Sequence, residues 1–438
     1  MQLLHPTAVW RRCPAMAART ATEVLDVRIG LIVPGFSADE RDWCIPALRH
    51  LVRELVRGDE VRVLALRYPH RAGSYPLLGA EVTALGGGTR RGAGSLGLWR
   101  ATLVALAAAH RRAPFDVLHA LWATESGMLA ALAGRMLGVP VVVSIAGGEL
   151  AALPDIGYGG RLVRAERARV RLALRLADVV TAGSAYACRM AEPYLAPRRQ
   201  RGLETAAGRP ETRDPRPEAE GRAPLQPAAR SPWRLPLGVD LSLFHPAPAA
   251  PPAGPPRIVQ AASLVPVKNQ ATLLRALALL RARGVPFAAE IAGEGPLEGE
   301  LRALAGDLDL GEAVRFRGAL PHDALPGFFH GAAAFALSSR HEAQCMALLE
   351  AAACGVPAAG SAVGALPELA PDAALAVTPG DHAALAGALE TLLRDEALRG
   401  AMGGAAARIA AEEYGARRCA ERARAVYAAA QRGRPIAV

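Results

Sequence analysis

The chain has 438 residues, of which 51% are hydrophobic, and its formal net charge is +10. This length and apolar content suffice for two domain cores, and no apolar run reaches the roughly 18 residues that a membrane-spanning helix needs. The charge favours an anionic partner, but only 5% of the residues are aromatic and no stacking motif accompanies the arginines, which argues against nucleic acid.

Residues 27–244 alternate short apolar or β-branched runs with Ala/Leu/Arg segments of helical period. This alternation is the signature of parallel βαβ units. Residues 1–26 precede it, mix arginines with alanines and are expected to be a disordered tail, with a mitochondrial-type presequence as the alternative. The predicted strands are residues 27–33, 61–66, 116–121, 141–146 and 178–183.

The same alternation returns in residues 257–412, after two segments of different composition. Residues 196–231 are rich in Arg, Pro and Glu without periodicity, which predicts a disordered insertion in the first domain. The Pro-rich residues 245–256 are the predicted interdomain linker. The sequence therefore predicts an α/β fold of two doubly wound, Rossmann-like domains that face a central cleft, where a ligand binds. The later predicted strands are residues 257–263, 287–293, 314–318, 333–339 and 357–363.

A basic stripe is predicted on one helix of the first domain. Five arginines recur three or four positions apart in the segment RLVRAERARVRLALRL, which places them on one helix face. Two interpretations stay open. The stripe is either a solvated helix face or a surface that binds an acidic acceptor or an anionic membrane. In the second case a cytoplasmic protein would bind the inner surface of the membrane. The five are Arg161, Arg164, Arg167, Arg171 and Arg175.

Two carboxylates separated by seven residues mark the densest cluster of functional residue types. Glu342 ends a predicted strand-to-helix loop, and Glu350 lies inside the following helix. Eight helical steps rise at most about 12 Å, comparable to the distance between the sugar and the ribose of a nucleotide sugar. The helix N-terminus at Gln344, Cys345 and Met346 would offer N–H groups to a diphosphate. Two surface glutamates on an amphipathic helix are the alternative.

This spacing resembles the Glu-x7-Glu motif of retaining glycosyltransferase family 4. The segments AASLVPVKNQATLLRAL, IAGEGP, VRFRGAL, GSAVGALPEL and TPGD resemble successive motifs of the family's glycogen-synthase-like second domain, and LPLGVDLSLFHP resembles the entry to its linker. The resemblance implies the GT-B fold and transfer of a sugar from a UDP- or GDP-linked donor to a saccharide or lipid-linked acceptor, with retention. It also implies a C-terminal helix, within residues 413–438, that crosses back to the first domain.

The resemblance further implies roles for individual residues. Glu350 would bond the ribose hydroxyls, Glu342 would contact the sugar and Lys268 would neutralise the diphosphate. The glycine turn at Gly293 and Gly295 would approach the donor.

Lys268 has independent support in the composition of the chain. It is the only lysine among 51 basic residues, and the following Asn269 is the only asparagine. A chain that otherwise uses arginine indicates that a compact point charge is needed here.

No metal or other cofactor is expected. Lys268, a helix dipole and backbone amides would meet the charge of the leaving group. Asp307-Leu308-Asp309 has the DxD pattern of metal-dependent sugar transferases, but it falls at a predicted turn away from the other motifs. The six cysteines are scattered without a Cys-x-x-Cys pair and suit a reducing cytoplasm.

Three departures from the family pattern bear on activity. Ser263 stands where the family usually has an arginine, so a second phosphate cation is missing or comes from elsewhere. The usual Gly-Phe-Gly after Glu342 is Ala-Gln-Cys at residues 343–345, whose side chains would crowd the donor. Ala146 stands where the family commonly has a histidine. These departures motivate the alternative of a protein that binds a nucleotide sugar or a partner without turnover.

Acceptor contacts are expected in loops of the first domain. Gly35 follows the first predicted strand and leaves room for a ligand. Gly147 and Gly148 form a turn at the end of another strand, and the next residue, Glu149, either contacts an acceptor or caps a helix. His119 is expected to be a packed, neutral core residue.

Overall fold

The structure is a computed structural model that describes residues 27–89, 93–195, 231–247 and 254–433. It consists of two α/β domains, each built on a largely parallel sheet with helices on both faces. This is the fold class that the alternating pattern predicts. The predicted tail at residues 1–26 and most of the predicted insertion and linker lie outside the described residues.

The first sheet has eight strands in the order β3-β4-β2-β1-β5-β6-β7-β8, and only the edge strand β3 runs antiparallel to its neighbour. All five predicted strands are present, and three further strands were not predicted: β3, which contains a glycine and a proline, β4, and the two-residue β8. The strands are β1 (Arg28–Gly35), β2 (Glu60–Tyr68), β3 (Ala72–Leu77), β4 (Ala80–Leu85), β5 (Val117–Leu121), β6 (Val141–Ile145), β7 (Val179–Ala182) and β8 (Trp233–Arg234).

The second sheet has six strands, all parallel, in the order β11-β10-β9-β12-β13-β14. The five strands predicted for this half of the chain are present, and the sixth follows them. The strands are β9 (Arg257–Ala261), β10 (Ala288–Ala292), β11 (Val314–Gly318), β12 (Ala334–Leu337), β13 (Ala358–Ser361) and β14 (Ala374–Val377).

Thirteen α-helices in the described residues cover the two sheets. They form because apolar side chains recur every three or four positions and pack on the sheets. The helices are α1 (Pro46–Leu55), α2 (Ala93–Arg112), α3 (Glu125–Leu137), α4 (Arg164–Leu176), α5 (Ala185–Leu195), α6 (Gln270–Ala282), α7 (Glu298–Asp307), α8 (Leu325–Phe329), α9 (Met346–Ala353), α10 (Leu366–Leu369), α11 (His382–Arg394), α12 (Glu396–Tyr414) and α13 (Ala416–Arg432).

The last helix, α13, belongs to the core of the first domain although it follows the second domain in the chain. Its buried side chains include Ala423, Val426 and Tyr427, which join the apolar cluster beneath α1. The turn before it is fixed by Val239, whose N–H donates to Tyr414 O (2.7 Å) and whose carbonyl accepts from Ala416 N–H (2.8 Å). The chain therefore crosses between the domains twice, near residue 239 and near residue 415.

The two sheets present their carboxyl edges to each other. The strand order reverses its direction between β1 and β5 in the first sheet and between β9 and β12 in the second. Ligands of open α/β sheets bind in the crevice outside such switch points. The fold thus directs attention to the loops that follow β5, β6, β9 and β12.

Candidate functional site

A cavity of about 390 Å³ lies between the carboxyl edges of the two sheets. Its wall from the second domain contains Ser263 and Lys268 after β9, and Ser339 and Glu342 after β12. Its wall from the first domain contains no acidic or basic side chain except His119. That first-domain wall consists of Leu51, His119, Leu121, Ser144, Ile145, Ala146, Gly147, Tyr158, Gly183, Leu235, Pro236 and Leu237.

Lys268 and Glu342 form a direct ion pair in this cavity. The Lys268 ammonium donates to Glu342 Oε1 at 2.6 Å, and the Ser339 hydroxyl donates to the same oxygen at 2.6 Å. The side chains are 24% and 10% exposed. Burial opposes the charge on Lys268, but the Glu342 carboxylate outweighs it, so the pKa of Lys268 is raised. The ammonium therefore stays protonated at neutral pH.

The backbone around Lys268 explains the single asparagine of the chain. Asn269 adopts left-handed geometry (φ 49°) between a 3-10 turn at Pro266–Lys268 and α6, a conformation that asparagine tolerates better than most residues. The Ser338 hydroxyl donates to Lys268 O (2.8 Å), and Arg340 N–H donates to Val267 O (2.8 Å). These two bonds join the loop after β9 to the loop after β12 and set Lys268 beside Glu342.

Glu350 lies in α9 but does not line the cavity. It is buried, and its Oε1 is 3.0 Å from His322 Nε2. The His322 ring stacks on Trp43 of the first domain, with ring centroids 4.9 Å apart. A ribose bound by Glu350 would have to share this carboxylate with His322, a residue without a motif to mark it in the sequence.

The other predicted donor contacts of the second domain divide into two groups. Ser263, Cys345 and Met346 line the cavity, whereas Gly293 and Gly295 do not. A side chain at either glycine would collide with the backbone of the loop after β9, at Ala262 O or Leu264 O. These glycines therefore allow two loops to pack closely, and their approach to the donor stays a prediction.

The side chain of Gln344 bonds the first domain, while the predicted contact of its backbone N–H with the donor stays a prediction. Its side chain makes two hydrogen bonds to the backbone of Leu237 in the first domain, through Oε1 (2.9 Å) and Nε2 (2.6 Å). The side chain is buried at the edge of the cavity. The predicted crowding of the donor by Gln344 is therefore corrected, since this side chain points across the cleft to the other domain.

The predicted acceptor-side residues are not gathered at the cavity. Gly147 lines it, but Gly35, Gly148 and Glu149 do not. The buried Glu149 carboxylate accepts backbone N–H groups of Ala123 (3.2 Å), Ala146 (3.1 Å) and Gly147 (2.6 Å).

Glu149 therefore ties the loop after β5 to the loop after β6, while its contact with an acceptor stays a prediction. Burial raises the pKa of this carboxyl against the effect of the three N–H donors.

Two histidines line the cavity without having been predicted to do so. His119 bonds Tyr427 OH through Nδ1 (2.9 Å) and Ser144 Oγ through Nε2 (2.7 Å), and burial lowers its pKa to about 3. His341 contacts the Gly147 carbonyl (3.4 Å) from the opposite wall, and burial lowers its pKa. Both rings are neutral at pH 7. Adjacency to Glu342 was the one sequence signal that could have identified His341.

Among the described residues, no three His, Cys, Asp or Glu side chains are arranged to hold a metal ion. Asp307 ends α7, and the exposed Asp309 pairs with Arg281 (2.5 Å). The DxD pattern thus lies on the outer surface of the second domain.

The basic stripe lies on α4 and the turn before it. Its five arginines are exposed, while Val170, Ala173 and Leu174 on the opposite face are buried. Leu162 and Val163, which precede α4, are 39% and 52% exposed. None of the helices in the described part of the chain combines the length and apolar character that a bilayer crossing requires.

Two family models match the chain, one in each domain. The model described as "Glycosyl transferase 4-like domain" matches residues 45–201. The model described as "Glycosyl transferases group 1" matches residues 244–408. Between them they cover most of the described residues of both domains.

Curated relatives match over part of their length. A GDP-mannose-dependent alpha-(1-6)-phosphatidylinositol monomannoside mannosyltransferase from Mycolicibacterium smegmatis is 35% identical over 186 residues, which are 39% of this chain and 49% of that protein. A D-inositol 3-phosphate glycosyltransferase from an Arthrobacter species is 31% identical over 198 residues, 42% of this chain and 47% of that protein. The chain thus spans about half the length of the curated relatives it matches.

Solved structures match over nearly the whole chain at low sequence identity. The sucrose-phosphate synthase of Thermosynechococcus elongatus has a TM-score of 0.68 at 20% identity and covers 92% of this chain and 98% of its own. An Anabaena protein solved with UDP-glucose has a TM-score of 0.64 at 17% identity and covers 92% and 99%. With the family models in both domains, the mannosyltransferase relative and this fold, the chain belongs to glycosyltransferase family 4 and has the GT-B architecture.

Proposed function

We propose that this protein transfers a hexose from a UDP- or GDP-linked donor to an acceptor hydroxyl, with retention of the anomeric configuration and without a metal ion. The observation that carries the proposal is the Lys268–Glu342 pair, 2.6 Å apart in the interdomain cavity. The pair lies at the switch point of the second sheet, where a nucleotide ligand of such a fold is expected. Retention follows the family resemblance.

Lys268 supplies the positive charge that the departing nucleoside diphosphate requires. Its raised pKa keeps the ammonium protonated at neutral pH. When a diphosphate enters, the ammonium would lie between the phosphate oxygens and the Glu342 carboxylate, while the first N–H groups of α9 face the same anion. A charge that is fixed in place before the reaction stabilises the leaving group without reorganisation.

Glu342 is suited to hydrogen bonds with hydroxyls of the transferred sugar. One of its oxygens already accepts from Lys268 and Ser339. A carboxylate has about four acceptor positions, so further hydroxyl groups can bind the same side chain. His341, neutral and at the wall of the cavity, is placed to contact the same sugar.

The first-domain wall favours an acceptor that is uncharged where it enters the cavity. Leu51, Leu121, Ile145 and Leu237 line this wall, and its imidazole, His119, is neutral. A phosphate or an ammonium group buried here would lack a partner and would be costly. A lipid-linked acceptor or a glycolipid fits this wall, and the mannosyltransferase relative is named for a glycolipid acceptor.

Contact with an anionic membrane accords with such an acceptor. Tyr158 lines the cavity, and within five residues the chain reaches the exposed Leu162 and Val163 and then the arginines of α4. Exposed apolar side chains beside arginines are typical of surfaces that bind anionic lipid. We place the protein at the cytoplasmic face of the inner membrane and expect vesicles that contain anionic lipid to retain it.

Calorimetry followed by a turnover assay tests the proposal. The protein is titrated with UDP and with GDP in EDTA, and the sugar donors of the tighter nucleotide are then assayed with glycolipid acceptors. We expect donor-dependent transfer in EDTA and a product whose anomeric proton coupling matches that of the donor. An inverted product or a requirement for metal would overturn the mechanism, and tight binding without any transfer would show a nucleotide-sugar-binding protein instead.

A further inference from the structure

The loop that carries Glu342 is held by the domain on the opposite side of the cleft. This segment, residues 342–346, consists of the last part of the connection from β12 to α9 and the first residue of α9 in the second domain. Within its own domain, the Gln344 carbonyl accepts Ala365 N–H (2.9 Å). The side chain of Gln344 and the carbonyl of Ala343 instead bond residues of the first domain.

Gln344 pairs with the first domain as a neighbouring strand would. Its Oε1 accepts Leu237 N–H (2.9 Å), and its Nε2 donates to Leu237 O (2.6 Å). Both backbone groups of one residue are thereby used by one side-chain amide. Space for the amide depends on Gly183, since a Cβ there would lie 2.5 Å from Gln344 Oε1.

Ser184 makes a second link beside the first. Its hydroxyl is fully buried and donates to Ala343 O at 2.5 Å. The next residue, Ala185, donates its N–H to Glu368 Oε1 of the second domain (2.7 Å). The turn between β7 and α5 is thus docked on the second domain through a set of buried hydrogen bonds.

The backbone of the loop needs such support. Cys345 has φ 75° and ψ 86°, a left-handed conformation that costs free energy in any residue with a Cβ. Strained conformations persist where the surroundings over-determine them. The resembled family pattern has glycine here, whereas this chain has a cysteine next to a glutamine that bonds across the cleft.

We propose that Gln344 and Ser184 are positioning residues, which couple the seating of the first domain to the placement of Glu342 beside Lys268. When the domains are together, the two side chains hold residues 343–345 in the strained form that presents Glu342 to the cavity. When the domains separate, the bonds to Leu237 and Ala343 break, and Cys345 can relax. The inference rests on the proposed function, because it assigns Glu342 to the sugar.

We call the cross-domain hydrogen bonds of Gln344 and Ser184 the clamp. Its loss should affect the contacts of the sugar and those of the diphosphate differently. Glu342 contacts the sugar in the proposed site, whereas Lys268 and the N-terminus of α9 face the diphosphate. Gln344→Ala should therefore lower kcat for the donor identified by calorimetry about tenfold, while the Kd for UDP or GDP changes less than about twofold. Gln431→Ala, which removes a half-buried glutamine near the end of α13, is the matched control.

Cys345→Gly supplies a test that a merely structural role would not pass. Glycine adopts the left-handed backbone without strain, so the loop needs less support. In the Gln344→Ala background this change should restore kcat about threefold relative to Gln344→Ala alone. Gln344→Glu keeps only the bond from Leu237 N–H and should give an intermediate kcat. It replaces Gln344→Ala in the test if Gln344→Ala folds poorly.

Hydrogen exchange of residues 342–346 and of the amide of Leu237 gives a readout that does not depend on turnover. Both should lose protection in Gln344→Ala and Ser184→Ala, and neither in Gln431→Ala. Unchanged protection, or equal kcat in Gln344→Ala and the control, would overturn the inference. Absence of donor binding and turnover in the wild type would refute the proposed function, while the exchange data would still decide whether the clamp holds the loop.

Discussion

The two walls of the interdomain cavity differ in chemistry. The second-domain wall carries an ammonium and a carboxylate in contact, Lys268 and Glu342, together with the hydroxyls of Ser263 and Ser339. The first-domain wall is mostly apolar, and two of its polar side chains, His119 and Ser144, bond each other. One wall is built to hold a charged, hydroxylated ligand, and the other is built to exclude charge.

This difference fits a division of labour between donor and acceptor. A UDP- or GDP-linked sugar brings a diphosphate, so the wall that binds it needs a fixed cation and recurs as a sequence motif. An acceptor brings whatever chemistry its pathway supplies, so its wall follows no common pattern. Specificity for the acceptor should therefore reside in side chains such as Leu51 and Leu237, which no motif marks.

The largest expected effect comes from removal of the cation of the charged wall. Lys268→Ala should lower kcat/KM for transfer by about a factor of a thousand, or about 4 kcal/mol, because the leaving diphosphate loses its fixed charge. Arg275→Ala, which removes an exposed cation from α6, should leave the rate within about twofold. Steady-state kinetics with the preferred donor measures both, and a Lys268→Ala enzyme with wild-type turnover would remove the distinction between the walls.

A second prediction concerns acidic pH, at which protonation of His119 would place a charge in the uncharged first-domain wall. Burial lowers the pKa of His119 to about 3, below its unfolded value of about 6.5, so the unfolded chain takes up a proton first as the pH falls. The contribution of neutral His119 to the free energy of unfolding is fully present above pH 6.5. Below that pH it is lost at about 1.4 kcal/mol per pH unit. At pH 4.5 the loss should be about 3 kcal/mol.

Urea unfolding at pH 7 and pH 4.5 measures this loss. In His119→Gln, which keeps polar groups for Ser144 and Tyr427, the difference between the two pH values should shrink by about that amount. The exposed His382→Gln should leave the difference unchanged. If wild type and His119→Gln lose the same free energy of unfolding between pH 7 and pH 4.5, other groups account for the loss. His50, with its pKa lowered to about 4, is one such group.

A third prediction concerns the outer face of the first domain. Replacing Arg164 and Arg171 together by serine should weaken binding to vesicles with anionic lipid by about 2 kcal/mol, roughly thirtyfold, because each arginine near such a surface contributes about 1 kcal/mol. Binding of wild type should fall with added salt. Arg315→Ser with Arg408→Ser, exposed in the second domain, is the control, and equal loss in both pairs would indicate non-specific charge attraction.

The fold was predictable because it depends on patterns that are local in the chain. All ten predicted strands are present, since runs such as Val141–Val143 are apolar throughout and are flanked by helical segments. The strands β3 and β4 were not predicted, and the first of them contains Gly73 and Pro76. β4 pairs with β2, and β3 pairs with β4 at the edge of the sheet; such pairing is a long-range property that periodicity does not report.

The site was predictable only where a motif fixes a residue type. Lys268 and Glu342 stood out by rarity and spacing, and the structure brings them into contact. The hydrogen bonds of the Gln344 and Glu149 side chains could not be predicted, because the partner of a polar side chain depends on which backbone groups of other segments lie near it. Leu237 lies 107 positions from Gln344, and no local pattern announces that pairing.

A fourth prediction concerns Glu350, which lies behind the cavity and bonds His322, whose ring stacks on Trp43 of the first domain. Glu350→Gln keeps the shape of the side chain but removes a charge that would accept two ribose hydroxyls, so the Kd for UDP or GDP should rise about tenfold, or about 1.4 kcal/mol. His322→Ala should lower the Kd for UDP or GDP or leave it unchanged, because it frees the Glu350 carboxylate from its present hydrogen-bond partner. Calorimetry on the two variants separates the possibilities. If both variants weaken binding equally, His322 holds Glu350 in place for the ribose; if neither changes binding, the nucleoside lies away from Glu350 and the charged wall ends at Glu342.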